Sequence, residues 1–127
     1  MLTIAVAGDT VLIGRARTYG TEGTFTLMSL DEEALECRGR FRYDALPSGR
    51  ARFRCSSGES GSVRIESEGH LIGRGRGTSS LGPIQLVFGY TIEEANRRLR
   101  LPAGKMLMRY ESGIALVDIE NEEGDGR

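Results

Sequence analysis

Alternation of polar and apolar residues is the feature that most limits how this chain folds. The stretch from Leu35 to Tyr43 alternates apolar or small residues with charged ones, and the stretch from Arg50 to Cys55 repeats the scheme. Side chains at a period of two point to opposite faces of a β-strand, so one face is core and the other is solvated. Similar short runs recur between turn residues. They predict an all-β, mainly antiparallel domain, which is a small barrel, roll or sandwich of about nine or ten short strands.

One segment breaks this alternation and is predicted to be the single short helix, near residues 91–100. Its sequence, TIEEANRRLR, places Thr91 as N-cap and Glu94 three residues later, which is a capping box. Acidic residues at its start and arginines at its end suit the helix dipole, so these charges need no ligand. We expect the helix to lie as a lid over one end of the β structure.

The predicted domain organisation is one β domain over residues 1–120, followed by an acidic flexible tail at 121–127. The chain contains no apolar run long enough to span a membrane as a helix. The N-terminal residues MLTIAVAGD lack a basic region, so we expect a strand there and no secretory signal. A cytoplasmic setting follows, or the envelope if the sequence is a trimmed form of a longer chain.

Positive charge is concentrated in the middle of the chain, although the net charge is −1. Between residues 38 and 76, nine arginines stand against four acidic residues. Alternation places six of them on one exposed face, which we call the arginine face: Arg38, Arg40, Arg42, Arg50, Arg52 and Arg54. Arg74 and Arg76, from a later Gly-Arg-Gly-Arg segment, complete the candidate partner-binding residues.

The arginine face requires neutralisation, because like charges opposite one another destabilise a sheet. With a three-residue loop at 47–49, Arg42 would lie beside Arg54 and Asp44 beside Arg52. We favour neutralisation by the chain's own acidic residues, namely the N-terminal acids with Glu59, Glu66 and Glu68.

The alternative is an external anion: an acidic protein surface, a phosphorylated ligand or nucleic acid. Nucleic acid is the less favoured partner, since the nearby aromatic residues Phe41, Tyr43 and Phe53 face inward and leave no stacking platform. The sequence therefore predicts a non-enzymatic binding or interaction module. A structural or envelope-associated β domain without a ligand is the alternative, and the sequence does not indicate an oligomeric state.

The four-residue pattern Gly-Arg-x-Arg occurs four times in the sequence. We expect the four glycines to be bend, bulge or turn positions: Gly14, Gly39, Gly49 and Gly73. The first and third copies are 35 residues apart and the second and fourth are 34 apart. Either a duplicated hairpin unit or chance explains this spacing.

Cys37 and Cys55 are the only cysteines, and both are predicted to face inward. The register of their hairpin decides whether they meet. A three-residue loop with Gly49 in the left-handed conformation keeps the sulfurs apart, whereas a five-residue loop at 44–48 places them directly opposite, within disulfide range. Without an export signal, we expect two buried free thiols.

No residue pattern indicates catalysis, a cofactor or a metal. His70 is the sole histidine and has no recognisable nucleophile motif nearby, and two cysteines with one histidine do not make a zinc site. The carboxylates Asp31, Glu32, Glu33 and Glu36 are expected in a solvated loop. Residues 73–82 lack the helix and the Gly-Lys-Ser/Thr ending of a phosphate loop, and Glu123 stands where a calcium loop requires glycine.

Residues 35–90 resemble a recurrent pattern in uncharacterised small glycine-rich bacterial β domains, often found in envelope or lipoprotein contexts. In these domains a cysteine before a Gly-x-Phe/Tyr strand is followed by Cys-Ser/Asp-x-Gly and alternating glycines. The matching positions are Cys37, Gly39, Phe41, Gly49, Cys55, Ser56, Gly58, Gly73, Gly75 and Gly77. The resemblance implies an all-β domain in which a Cys37–Cys55 bridge can form. It does not imply any activity. The chain departs from the pattern in carrying arginine where threonine is usual and in lacking a lipoprotein signal.

Overall fold

The computed structural model describes residues 1–30 and 35–119, and antiparallel strands dominate it. The strands are β1 (Leu2–Ala7), β2 (Thr10–Tyr19), β3 (Glu22–Ser29), β4 (Glu36–Ala45), β5 (Ser48–Cys55), β6 (Ser60–Gly69), β7 (Ile72–Ser79), β8 (Gly82–Phe88), β9 (Lys105–Tyr110) and β10 (Gly113–Asp118). The one helix in the described ranges is α1 (Ile92–Arg98). The prediction of an all-β domain with one short helix near residues 91–100 is confirmed.

Strands β1 to β8 follow one another around a closed barrel, and β8 pairs with β1 to complete it. Because closure pairs every strand on both sides, the barrel has no free edge. Strands β9 and β10 form a separate two-stranded antiparallel sheet. Among the architectures predicted, the barrel is the one found.

The barrel interior is filled by the inward residues of alternating strands. Leu12, Leu27 and Val63 are almost completely buried there, with aromatic rings between them. Gly39 is placed directly beneath the ring of Phe25, so that an added Cβ atom would lie 2.3 Å from Phe25 Cζ. Glycine at such inward positions makes room for rings from neighbouring strands.

The four glycines of the Gly-Arg-x-Arg pattern all lie within strands, in β2, β4, β5 and β7. None has a positive φ, so the expectation of turn positions is wrong. Gly49 and Gly73 do lie opposite the two register irregularities, which fall at residues 43–45 and 67–69, whereas Gly14 and Gly39 lie in regular pairing. These positions accept only glycine because the neighbouring strand comes too close: a Cβ atom on Gly14 would lie 1.7 Å from the Thr26 carbonyl oxygen.

A second apolar cluster lies outside the barrel, between one wall and the helix with its following hairpin. The outward residues Ile4 and Val6 of β1 and Val87 of β8 pack there against Ile92 and Leu107. The helix therefore covers the side of the barrel, and the expectation that it caps one end is wrong. Strand β1 has apolar residues on both faces, so burial of its outward face from water requires another element packed against the side of the barrel.

Two sets of hydrogen bonds fix α1 in place. The Thr91 hydroxyl oxygen accepts a hydrogen bond from the Glu94 N–H at 3.1 Å, as the capping box predicts. The Asn96 side chain donates to the Leu107 carbonyl at 3.0 Å and accepts from the Leu107 N–H at 2.8 Å. These bonds join the helix directly to strand β9.

The predicted tail at 121–127 lies outside the described residues. Within the described ranges, no helix is long and apolar enough to cross a membrane.

Candidate anion-binding face

The arginine face is the outward side of strands β4 and β5. The alternation that produces it is direct: Cys37 and Phe41 of β4 and Phe53 of β5 are buried, while the arginines between them are exposed. The prediction of an inward apolar row and an outward arginine row is confirmed for both strands.

The register of β4 against β5 places the six arginines in three directly opposed pairs. Arg38 faces Arg54, Arg40 faces Arg52 and Arg42 faces Arg50. The pairing of Arg42 with Arg54 and of Asp44 with Arg52, which a three-residue loop would give, is wrong. The observed pairs up to Tyr43 and Gly49 are those of the alternative with a five-residue loop at 44–48. Beyond them an irregularity at Asp44 lets Ala45 pair with Ser48, so the turn itself is shorter.

The same register places Cys37 directly opposite Cys55, and the two form a disulfide. Both are buried in the barrel interior. The expectation of two free thiols is wrong, and the bridge that the resemblance implies is present. The hydrogen bond from Ser56 N–H to Glu36 O flanks a non-hydrogen-bonded pair, the geometry in which opposite side chains come closest. A covalent link thus joins the two strands that carry the like-charged pairs.

A transverse row of arginines continues from this face across β6 and β7. Arg50 faces Arg64, and Arg64 faces Arg76, so Arg42, Arg50, Arg64 and Arg76 occupy one row over four neighbouring strands. Arg64 was absent from the predicted site. Alternation already placed it outward, but only the pairing of β5, β6 and β7 brings it into the row.

The chain's own acidic residues neutralise little of the arginine face. Arg50 pairs with Asp44 at 3.2 Å, and this is the one ion pair that the six arginines make within the described ranges. Arg38, Arg40, Arg42, Arg52 and Arg54 have no ion pair or side-chain hydrogen bond with any described residue, and neither do Arg64 and Arg76.

Glu59, Glu66 and Glu68 are engaged elsewhere, whereas Glu22 of β3 lies directly opposite Arg42 without forming an ion pair with a described residue. Glu66 and Glu68 both pair with Arg74, at 3.4 and 3.2 Å. Glu59 accepts a hydrogen bond from the Ser57 hydroxyl, which lowers the pKa of its carboxyl. The favoured expectation of internal neutralisation therefore fails for these three residues. The candidates Asp31, Glu32 and Glu33 lie outside the described residues.

Arg74 takes part in an ion-pair network near the helix and is not part of the arginine face. Its partner Glu68 also accepts hydrogen bonds from the Tyr90 hydroxyl at 2.5 Å and from Arg98 at 3.3 Å. The bond to Glu68 raises the pKa of Tyr90, and the Arg98 guanidinium stacks over the Tyr90 ring, 4.2 Å from its centroid. Arg74 thus helps to tie α1 to strands β6 and β7, and its charge is matched by two carboxylates.

A shallow groove of about 1370 Å³ runs over the arginine face. Six of its lining residues are serine or threonine: Thr24, Ser60, Ser62, Thr78, Ser79 and Ser80. Its margin holds Tyr19, whose ring is 59% exposed, together with Glu22. The groove therefore offers guanidinium groups flanked by hydroxyl groups, with a single exposed aromatic residue at its edge.

Catalytic and metal-binding residues do not assemble in the described part of the chain. His70 occupies the exposed turn between β6 and β7, and no described side chain hydrogen bonds to it. No group of three or more histidine, cysteine, aspartate or glutamate residues within residues 1–30 and 35–119 is placed to hold a metal ion. The absence of enzymatic activity stays a prediction.

No family model, curated protein or solved structure matches this chain. The resemblance to small glycine-rich bacterial β domains consequently stays a prediction.

Proposed function

We propose that this protein is a non-enzymatic binding module whose arginine face holds an anionic partner. The observation that carries the proposal is the set of three directly opposed arginine pairs with one ion pair among them. Such pairs repel each other across the sheet. An anion that bridges two guanidinium groups removes this repulsion, and the planar guanidinium suits phosphate, sulfate and carboxylate oxygens.

The register supports the proposal further. The pairs are spaced two residues apart along the strands, at about 6.7 Å, and neighbouring strands are about 4.8 Å apart. The Cys37–Cys55 disulfide and the closed barrel fix both spacings. A ligand thus meets charges already arranged for it, which limits the side-chain ordering that binding requires.

Fluorescence anisotropy with a labelled polyanion tests the proposal. We expect labelled heparin to bind at low salt and to weaken steeply towards physiological salt, as counterion release requires. R40S/R52S should weaken binding by about tenfold or more, because charge-assisted hydrogen bonds are lost. The matched control is R100S/R109S, which removes two exposed arginines from the helix side. No binding at low salt, or equal losses in the two variants, would overturn the proposal.

The disulfide favours a second candidate function, a structural or envelope-associated domain with no ligand. Disulfides persist in oxidising compartments, where small domains use them for stability. A count of free thiols on unreduced, denatured protein taken from its native host tests this setting. Zero free thiols supports an oxidising compartment, and two free thiols contradicts it.

A further inference from the structure

Hydroxyl groups flank two of the three arginine pairs in the same order, whereas the pair Arg42–Arg50 is flanked by Glu22 and Arg64. The repeated order indicates the chemistry of the partner. One row across the sheet reads Thr24, Arg40, Arg52, Ser62, and the next reads Thr26, Arg38, Arg54, Ser60. All eight side chains are exposed. Each row therefore has two guanidinium groups at its centre and one hydroxyl group on either side.

We propose that the groove binds a linear polysaccharide that carries sulfate or carboxylate groups. This inference rests on the proposed function and names the class of anion. Guanidinium groups bind the oxyanions of such a chain, while serine and threonine hydroxyls both donate to and accept from sugar hydroxyls. The two rows lie about 6.7 Å apart along the strands, so two neighbouring charged sugars can meet the same set of groups.

An acidic peptide fits this face less well. Extended peptides gain affinity and register by adding a strand to an exposed sheet edge. Strands β1 to β8 are each paired on both sides, so the barrel offers no edge at the arginine face. A peptide would be held there through its side chains alone.

Nucleic acids also fit less well. Single strands are bound largely by stacking of bases on aromatic side chains, but Phe41 and Phe53 are 9% and 4% exposed and point into the barrel. Tyr19 alone is exposed at the margin of the groove. A duplex is stiff, with a persistence length of about 150 base pairs, so bending it to follow the curved wall of a small barrel opposes binding.

Competition among polyanions tests the inference. The full chain is bound to labelled heparin at the highest salt concentration at which the complex persists. Unlabelled heparin, polygalacturonate, poly-glutamate, single-stranded DNA and duplex DNA are then added at equal charge concentration. We expect at least one of the two polysaccharides to compete about tenfold better than poly-glutamate and both DNAs. Heparin ahead of polygalacturonate indicates sulfate groups, and the reverse order indicates carboxylates.

The outcomes separate this inference from the function on which it rests. Equal or better competition by poly-glutamate or either DNA overturns the polysaccharide inference and leaves an anion-binding module. Failure of every polyanion to bind, even at low salt, overturns both.

A hydroxyl-deletion variant gives a second test in which all arginines are retained. T24V/S62A should weaken heparin or polygalacturonate binding about three- to tenfold, because neutral hydrogen bonds to the sugar are lost. Its binding of poly-glutamate should be unchanged. The control T18V/S112A removes two hydroxyl groups outside the groove lining, so the binding of polysaccharide and the binding of poly-glutamate should both be unchanged. Equal loss for both polyanions, or no loss for either, contradicts the inference.

Discussion

The two walls of the barrel follow the same alternation but differ in what lies outside them. On the wall formed by β1, β2 and β8, outward Ile4 and Val6 are 1% and 5% exposed, because α1 and the β9–β10 hairpin cover them. On the wall formed by β4 to β7 the outward residues are mostly arginine, serine and threonine, with acidic residues towards the strand ends, and no described residue covers the arginine face. The side chain of Arg50 is 71% exposed even though it has an ion pair.

This difference shows how one strand pattern gives two kinds of surface. Where the outward residues are apolar, the chain supplies the cover itself, since exposed apolar area is unfavourable in water. Where they are cationic, they stay exposed to water with one ion pair on the arginine face, and repulsion remains between opposed pairs. The covered wall stabilises the domain, and the uncovered wall is available to a partner.

The largest effect is expected from breaking the cover. Leu107 of β9 is 1% exposed in the cluster between the helix and the barrel. L107A should lower the free energy of unfolding by about 2–5 kcal/mol, because the deletion leaves a cavity in a packed cluster. Urea denaturation of the wild type and the variant measures this difference in the free energy of unfolding. A loss below about 1 kcal/mol would mean that the hairpin is not part of the cooperative unit.

The disulfide beneath the uncovered wall is expected to contribute nearly as much. It joins residues 18 positions apart, and closing a loop of that length stabilises a fold by about 3 kcal/mol. C37A/C55A should lose about this free energy of unfolding and should also bind heparin more weakly. Unfolding of the wild-type protein under reducing conditions is the control, because it breaks the disulfide without replacing the cysteine side chains. Full stability without the bond would show that the barrel alone holds the opposed arginines in register.

The smallest effect is expected from the arginine pairs themselves. R40S/R52S should raise the melting temperature by about 1–4 °C at low salt, because one repulsive pair is removed. The gain should shrink as salt is added, since screening weakens the repulsion in the wild type. R100S/R109S should show no such salt-dependent gain. A lower melting temperature for R40S/R52S would mean that the pair is already neutralised in the free protein.

The faces of the strands were predictable from sequence, whereas the register between them was not. A period of two assigns Cys37 inward and Arg38 outward without reference to any other strand. Which arginine faces which depends on the turn, and one extra residue at Asp44 shifts every pair beyond it. The disulfide and the three opposed pairs follow from that shift, so the sequence left them open.

The transverse row of arginines could not be predicted from the sequence for a related reason. Arg64 and Arg76 are distant from Arg42 in sequence, and they join one row only because β4 to β7 lie side by side in the barrel. Similarly, the acidic residues Glu66 and Glu68 are near the arginines in sequence, but the fold turns them towards Arg74 and the helix. Proximity along the chain therefore suggested a neutralisation that the three-dimensional arrangement does not provide.

The most direct test of the uncovered wall as a binding site is an NMR titration that follows the arginine Nε–Hε signals while a heparin oligosaccharide is added. We predict shifts at Arg38, Arg40, Arg42, Arg52 and Arg54, with smaller changes at Arg74 and Arg98, which are already paired with carboxylates. Uniform small shifts over all arginines, or the largest shifts on the helix side, would contradict a binding site on the arginine face.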